Sequence, residues 1–423
     1  MSRLEKQLGL FQGMALLSTS LLGTGVFVVP ALAATAAGAA SLWAWLLLIV
    51  LVLPIAFTFA QLGRRFPHAG GAPHLIGRAF GTRLERVSAM LFLAVMPVGV
   101  PAALKIAVGF WQSVLALGSL QALAVQLGTL LVVLVLGQRP ARATGLVQGL
   151  IAVAIVATIA AIWWAGRLPR ADQPLLPSLD GTWHLLPAAL GVMFWCFVGL
   201  EAFSHMGEEF RRPERDFPLA LIAGVLLAGL LYWACSVALL TFGGYGDPVA
   251  DASAVGRLFG RLLGPHAAWW MVLVGYLACF ASINIYLQGF ARLIWSLADE
   301  GKLPPVLARL NGHGVPGRAL LLVVAVCACS LLAADALGLS LDRLIRYANG
   351  SFVVIYLLSM ASGYRLLRGA WRGLALLGAV LCLAVLAMLG WQALYALALL
   401  ALLLAFDRLR ERGDARPAAP AEP

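Results

Sequence analysis

Glycines interrupt two long apolar stretches of this chain, and both interruptions could bind a small ligand through the backbone. The first is Gly23-Thr24-Gly25 and the second is the run Phe197–Glu201. An unwound helix leaves amide N–H groups at a half-helix N-terminus, where partial positive charge favours a carboxylate. The sequence therefore predicts a carboxylate site at the first interruption. Glycine pairs in membrane helices also serve plain helix contact, and that reading stays open.

The second interruption offers the complementary chemistry. Carbonyl groups of Phe194, Trp195, Cys196 or Phe197 can accept hydrogen bonds from an ammonium group once the helix is unwound. Together the two interruptions predict a site for a zwitterionic α-amino acid.

Two charged residues lie within apolar stretches, where a charge is expensive to bury. Inserting a carboxylate at a helix centre costs about 2.5–3.5 kcal/mol, so Glu201 should face the protein interior with a partner or a proton. A carboxylate removed from water favours its neutral form, which makes Glu201 a candidate proton carrier, with His205 one turn later. A structural glutamate bonded to unwound backbone is the equal alternative. Lys105 is a coupling or gating candidate on membrane cost alone, and a plain structural role is the favoured interpretation.

The elements that would position these residues are membrane helices. The chain is 62% hydrophobic and 12% charged over 423 residues, with a mean hydropathy of +0.92, which indicates an all-α polytopic membrane protein. Twelve apolar stretches are long enough to cross a bilayer, and the first and sixth carry the interruptions. The predicted spans are 8–36, 41–62, 87–117, 120–137, 143–166, 185–206, 217–242, 266–296, 318–335, 341–364, 371–389 and 391–406.

The basic residues predict the orientation of these spans. With the N-terminus inside, cytoplasmic segments hold 23 Lys and Arg residues and the opposite side holds six. This asymmetry places both termini in the cytoplasm. The net charge of +11 then reflects topology and attraction to anionic lipid, and a nucleic-acid partner has no support. Residues 407–423, rich in Ala, Pro and charge, are predicted to form a disordered cytoplasmic tail.

Four motifs in consistent order resemble the amino acid–polyamine–organocation transporter superfamily. They are Leu22–Pro30, Phe66–Gly81, Phe197–Pro218 and Arg292–Pro304. The resemblance implies a LeuT-like core of two five-helix inverted repeats over residues 1–364, with helices 1 and 6 broken, and two additional helices over 365–406.

The resemblance also implies roles for individual residues. An aromatic residue near Trp195 gates the site in that superfamily, and one near Tyr286 contributes to the pocket wall. Members that use a lysine in place of sodium carry it in span five, which here has none, so Lys105 does not inherit that role. Ser282 is one candidate sodium ligand without a convincing second, which favours protons as the coupling ion.

These observations predict a transporter of the bacterial inner membrane that exports neutral apolar amino acids, namely methionine, leucine, isoleucine and valine, by proton antiport. A proton-coupled importer or exchanger of the same fold is the alternative. A membrane enzyme would need a catalytic cluster in the spans and a channel would need rings of charge, and neither pattern is present in the sequence. All six cysteines lie in apolar spans, which argues against disulfides and metal ligation. No cofactor and no obligate protein partner are expected; the partners are the amino acid and membrane lipid.

Overall fold

The computed structural model describes residues 6–112, 114–115, 117–139, 141–169, 175–176, 181–246, 254–264, 266–339, 341–388 and 391–414. Within these ranges the fold is helical, and the one β contact is an isolated bridge between Leu8 and Phe210. The helices are α1 Leu10–Leu22, α2 Val29–Ala37, α3 Ser41–Arg65, α4 Gly71–Phe80, α5 Thr82–Leu93, α6 Met96–Gln112, α7 Ser119–Gly137, α8 Ala141–Ala165, α9 Leu186–Met193, α10 Leu200–Ser204, α11 Pro213–Phe242, α12 Ala254–Leu263, α13 Ala267–Asp299, α14 Gly317–Ala336, α15 Leu341–Leu366, α16 Ala370–Met388 and α17 Trp391–Asp414.

Eight helical segments in the described part of the chain are long and apolar enough to cross a membrane. Two shorter apolar helices, Leu10–Leu22 and Phe194–Ser204, lie at the predicted interruptions. Predicted and observed boundaries agree closely, as for 120–137 against Ser119–Gly137. This agreement follows from composition. A run of apolar residues favours the membrane, and there it must form a helix because a helix provides hydrogen-bond partners for its own backbone N–H and C=O groups.

One predicted span is divided. The stretch 87–117 corresponds to α5 and α6, which are separated at Ala94 and Val95. Pro97 has no N–H to donate to the carbonyl four residues before it, which explains the break in the hydrogen-bond ladder. The loop before this span contains the helix α4, which packs against α10 and α15.

The interrupted helices lie at the centre of the fold. Helix α1 packs against α8, α11 and α13, while α10 packs against α3, α4 and α13. Longer helices therefore surround both interruptions and bury them.

The last helix continues past the predicted start of the tail at residue 407 and reaches Asp414. Asp407 is buried and accepts a hydrogen bond of 2.9 Å from Arg86 Nε on α5. Arg83 on the same helix donates to the Leu404 carbonyl at 3.1 Å. These contacts fix that turn of α17, which extends beyond the predicted start of the tail, and residues 415–423 lie outside the described part.

Candidate functional site

The first interruption is a tight turn between α1 and α2, spanning residues 23–28. The Gly23 N–H donates to the Thr19 carbonyl at 3.0 Å, and the Gly25 N–H donates to the Leu22 carbonyl at 3.2 Å. Two of the three amides expected to be free are therefore hydrogen-bonded within the turn. The Thr24 amide has no acceptor among the residues described here.

The carbonyl groups released at this turn are satisfied by side chains of two other helices. Ser282 Oγ on α13 donates to the Ser20 carbonyl at 2.5 Å, and the Tyr232 hydroxyl on α11 donates to the Leu21 carbonyl at 2.8 Å. Cys279 on α13 contributes a weaker contact of 3.4 Å to the Gly23 carbonyl. These side chains replace the missing helical partners, which is what makes an interruption tolerable away from water.

The second interruption follows α9. Residues Phe194–Phe197 form a 3₁₀ turn, and Gly199 has a φ of 138°, a conformation that suits glycine alone, before α10 begins. The Val198 N–H donates to the Trp195 carbonyl at 3.2 Å, and the Tyr356 hydroxyl lies 3.0 Å from the Phe197 carbonyl. Three of the four carbonyls predicted to bind an ammonium group thus have a donor within the protein, because the 3₁₀ turn also pairs the Phe194 carbonyl with the Phe197 N–H.

Glu201 is fully buried and anchored to this second interruption. Its carboxylate accepts from the Gly199 N–H at 3.0 Å, from the Tyr286 hydroxyl at 2.9 Å and from the Tyr356 hydroxyl. Tyr356 was not predicted from the sequence. The signal that could have found it is a tyrosine within an apolar span, because a buried hydroxyl needs a hydrogen-bond partner.

A cavity lies between the two interruptions. Its space amounts to about 530 Å³, including the part open to solvent. No charged side chain lines it within the described residues. The lining residues are Ser20, Leu21, Thr24, Val95, Gly99, Val100, Ala103, Trp195, Val198, Ser282, Ile283, Tyr286, Phe290 and Phe352.

Three of the predicted substrate-binding residues, Thr24, Trp195 and Tyr286, line this cavity. The Trp195 indole N–H donates to Thr24 Oγ1 at 3.3 Å, which joins the two interruptions across the cavity. Tyr286 faces the cavity and also donates to Glu201, so it lies between the cavity and the buried carboxylate. The lining does not include the predicted residues Gly23, Gly25, Phe194, Cys196, Phe197, Glu201 and Lys105.

The two glycines of the first interruption face neighbouring helices. A Cβ at Gly25 would overlap the Tyr232 hydroxyl and lie 3.1 Å from Cys196 Sγ. A Cβ at Gly23 would lie 2.5 Å from the Ala278 carbonyl oxygen and overlap Ser282. Close helix contact, the interpretation that the sequence left open, therefore accounts for both glycines.

Lys105 has a partner that the sequence reading missed. Its ammonium lies 2.5 Å from Asp335 Oδ1, and both side chains are partly exposed. Asp335 is close to the end of α14, so the pair joins α6 to α14 away from the cavity lining. The membrane cost that singled out Lys105 is offset by this ion pair.

A second set of contacts joins the helix ends on the side predicted to be cytoplasmic. Arg292 on α13 forms a buried ion pair with Glu209 and donates to Gln288 Oε1 at 2.8 Å. The Glu209 carbonyl accepts from the Leu8 N–H at 2.9 Å, which ties the N-terminal segment to the same place. Glu209 is thus part of a closure between helix ends.

Two histidines lie beside this closure, in the segment between α3 and α5. The rings of His68 and His74 stack with centroids 3.7 Å apart. Burial, followed by the charge of His74, lowers the pKa of His68 to about 4. His205 is fully buried, and its Nδ1 lies 2.9 Å from the Ala69 carbonyl.

Comparison with known proteins identifies the family of this chain. A family profile described as "Amino acid permease" matches residues 8–407. The chain belongs to the amino acid permease family. The predicted resemblance is confirmed, and the chain is a multi-pass membrane transporter of amino acids rather than an enzyme.

Three relatives place the chain within that family. It is 53% identical over 401 residues to the L-methionine/branched-chain amino acid exporter YjeH of Escherichia coli, covering 95% of this chain and 96% of the relative. It is 27% identical over 407 residues to the uncharacterized amino acid permease YecA of Bacillus subtilis, covering 93% of each chain. It is 26% identical over 330 residues to the cadaverine/lysine antiporter of Escherichia coli, covering 75% of this chain and 72% of the relative.

Proposed function

We propose that this permease exports methionine, leucine, isoleucine and valine from the cytoplasm by proton antiport, through the cavity between its two interrupted helices. The protein would lie in a bacterial inner membrane with both termini in the cytoplasm. Its twelve spans would form two inverted five-helix repeats and two additional helices, and access would alternate by rocking or gating around the cavity.

The observation that carries the substrate class is the neutral, mostly apolar cavity lining. A basic or acidic substrate side chain would need a counter-ion, and the described lining has none. Val100, Ala103 and Phe352 offer apolar contact to an aliphatic or thioether side chain. The name of the Escherichia coli exporter, to which the chain is 53% identical, agrees with this preference.

The substrate backbone would bind at the interruptions. The unpaired Thr24 amide is the proposed donor to the substrate carboxylate. The Cys196 carbonyl lies outside the described cavity lining, and it is the proposed acceptor from the substrate ammonium group once the second interruption opens further. Trp195, which bridges to Thr24, is the proposed gate, because substrate entry would have to break or bypass that contact. Tyr286 is the proposed wall between substrate and Glu201.

Glu201 is the proposed proton carrier. When it is ionised, the Tyr356 hydroxyl can donate to it; when it is protonated, Glu201 can donate to that hydroxyl, and Tyr356 can then donate to the Phe197 carbonyl 3.0 Å away. The hydrogen-bond network thus has an arrangement for either state, and the single Tyr356 proton moves from Glu201 to the Phe197 carbonyl when Glu201 becomes protonated. The second state engages backbone of the interrupted helix, which offers a way to link protonation to its conformation.

A proton-coupled importer or exchanger would use the same cavity, and the direction of transport separates the candidates. The test is efflux of labelled methionine and leucine from preloaded proteoliposomes containing the purified protein, with and without a pH step, beside uptake from outside. Export by antiport predicts efflux that a proton gradient accelerates. Net uptake that follows proton entry would support the importer instead.

Glu201→Gln tests the coupling, with the exposed Glu214→Gln as its matched control. We expect the Glu201 variant to lose the response to pH while retaining exchange of labelled for unlabelled methionine without a gradient. Retained exchange would show that the variant is folded and binds substrate. A pH response equal to that of the wild type would refute Glu201 as the proton carrier.

A further inference from the structure

A groove unrelated to the substrate cavity lies where α7 ends and α14 begins. Both helices are candidate membrane spans, so this end of each lies near a membrane boundary. The groove is built from the residues after α7 and from the loop that precedes α14. It forms two adjoining depressions with about 770 and 950 Å³ of space, including the part open to solvent.

The floor of the groove is a fixed hydrogen-bond network. Asn311 Nδ2 donates to the Gln138 backbone carbonyl at 3.0 Å and to Gln138 Oε1 at 3.1 Å. Gln138 Nε2 donates in turn to the Gly317 carbonyl at 3.3 Å. Asn311 Oδ1 accepts from the Val315 N–H at 3.1 Å, which holds the loop in its turn. The network therefore fixes the end of α7, the loop and the start of α14 relative to one another.

Each anchor of this network is close in sequence to an arginine. Arg139 follows Gln138, Arg318 follows Gly317, and Arg309 precedes Asn311 by two residues. All three arginines are exposed and line the depressions. No hydrogen bond or ion pair is found for their guanidinium groups within the described residues, and no carboxylate lines the groove there. The fold thus gathers three unpaired positive charges at one boundary of the membrane.

The wall of the groove on the membrane side is apolar. Leu134, Val135, Leu310 and Leu321 line it, and the side chains of Val135 and Leu321 are each 55% exposed. Water is a poor environment for such a wall, whereas acyl chains suit it. The groove therefore combines an apolar wall on two membrane helices with a cluster of cations at their ends.

We propose that this groove binds an anionic phospholipid, with the phosphate held by Arg139, Arg309 and Arg318 and the acyl chains lying along Val135 and Leu321. Basic pockets between membrane helices are suited to anionic lipid headgroups, and arginine binds phosphate oxygens through a planar, bidentate fork. The apolar wall favours a lipid over a free phosphate compound, since only a lipid would occupy both parts of the groove. A bound lipid would bridge α7 and α14 from outside the protein.

The test uses the purified full-length protein in neutral detergent, with lipid binding followed by native mass spectrometry and by thermal unfolding. Three probes separate the possibilities: dioleoyl phosphatidylglycerol, dioleoyl phosphatidylcholine and glycerol 3-phosphate. We expect the wild type to retain and be stabilised by phosphatidylglycerol, with weaker effects of phosphatidylcholine and none of glycerol 3-phosphate. Equal retention of both lipids would overturn the proposal, and saturable binding of glycerol 3-phosphate at similar concentration would assign the groove to a soluble anion instead.

The triple variant Arg139→Gln, Arg309→Gln and Arg318→Gln should weaken phosphatidylglycerol binding by about ten-fold or more, because each cation near an anionic lipid contributes independently. Replacing the same three residues by Lys keeps the charge and should restore part of the affinity. The matched control, Arg64→Gln, Arg65→Gln and Arg211→Gln, removes the same charge from exposed positions outside the groove. An equal loss in this control would show that net charge alone attracts the lipid, and would refute a site.

Discussion

The substitution Gly25→Ala tests whether the first interruption is shaped by helix packing or by the ligand. The added Cβ would overlap the Tyr232 hydroxyl and lie 3.1 Å from Cys196 Sγ. Tyr232 cannot easily withdraw, because its buried ring stacks on Trp45 with centroids 4.7 Å apart. We therefore expect the substitution to displace the hydroxyl and break its 2.8 Å hydrogen bond to the Leu21 carbonyl.

Two effects contribute to the expected loss of unfolding free energy in Gly25→Ala. Overpacking a tight interior costs about 1–3 kcal/mol, and leaving a buried carbonyl unsatisfied costs about 1–3 kcal/mol. Gly25→Ala should therefore lower the free energy of unfolding by about 2–6 kcal/mol. Tyr232→Phe removes only the hydroxyl and should cost about 1–3 kcal/mol.

The double variant is decisive, because Tyr232→Phe also removes the atom with which the new Cβ collides. We expect Gly25→Ala with Tyr232→Phe to lose clearly less stability than the sum of the two single variants, with a residual loss from the 3.1 Å contact between the new Cβ and Cys196 Sγ. The assay is unfolding of each variant by SDS in mixed micelles, beside methionine binding. Additive losses would refute the packing argument. Unchanged stability with weakened methionine binding would indicate instead that Gly25 is needed for ligand binding.

Three further results follow from the described contacts. Asp335→Asn leaves the Lys105 ammonium unpaired and should lower the melting temperature more than Asp335→Asn combined with Lys105→Gln. Methionine affinity should be unchanged. If the losses of the two single variants simply added in the double variant, the ion pair would not be a source of stability. Glu209→Gln leaves the buried Arg292 charge without its partner and should cost about 3–5 kcal/mol in the same SDS assay, whereas a loss below 1 kcal/mol, typical of an exposed pair, would contradict its burial. Burial lowers the pKa of His68 from 6.5 to about 4, so the folded state binds fewer protons than the unfolded state between these pH values. The contribution of this group to stability is complete above pH 6.5 and is lost as the pH falls towards 4. His68→Gln should therefore make the melting temperature depend less on pH over that range, and an unchanged slope would contradict the pKa shift.

The positions of the helices and of both interruptions could be predicted from the sequence. Transfer of a segment into the membrane depends on its own composition, so the predicted span 217–242 and the observed Pro213–Phe242 agree except in the first turn. Glycine at the interruptions is a similarly local signal, since glycine is the residue that readily adopts the φ of 138° found at Gly199. The candidate residues Thr24 and Trp195 lie on these local features, whereas Tyr286, inside a continuous helix, was indicated by the family resemblance.

The partners of the functional side chains were decided only by the tertiary structure. Glu201 meets Tyr356 from a helix 155 residues later in the chain, and Lys105 meets Asp335 across 230 residues. The glycines at 23 and 25 proved to face Ser282 and Tyr232 instead of the cavity. The hydrophobicity of a segment determines that it forms a membrane helix. The rotation of each helix about its own axis, and its shift along that axis, decide which side chains meet. Composition carries little information about that rotation, because nearly every face of these apolar helices can lie against either protein or lipid.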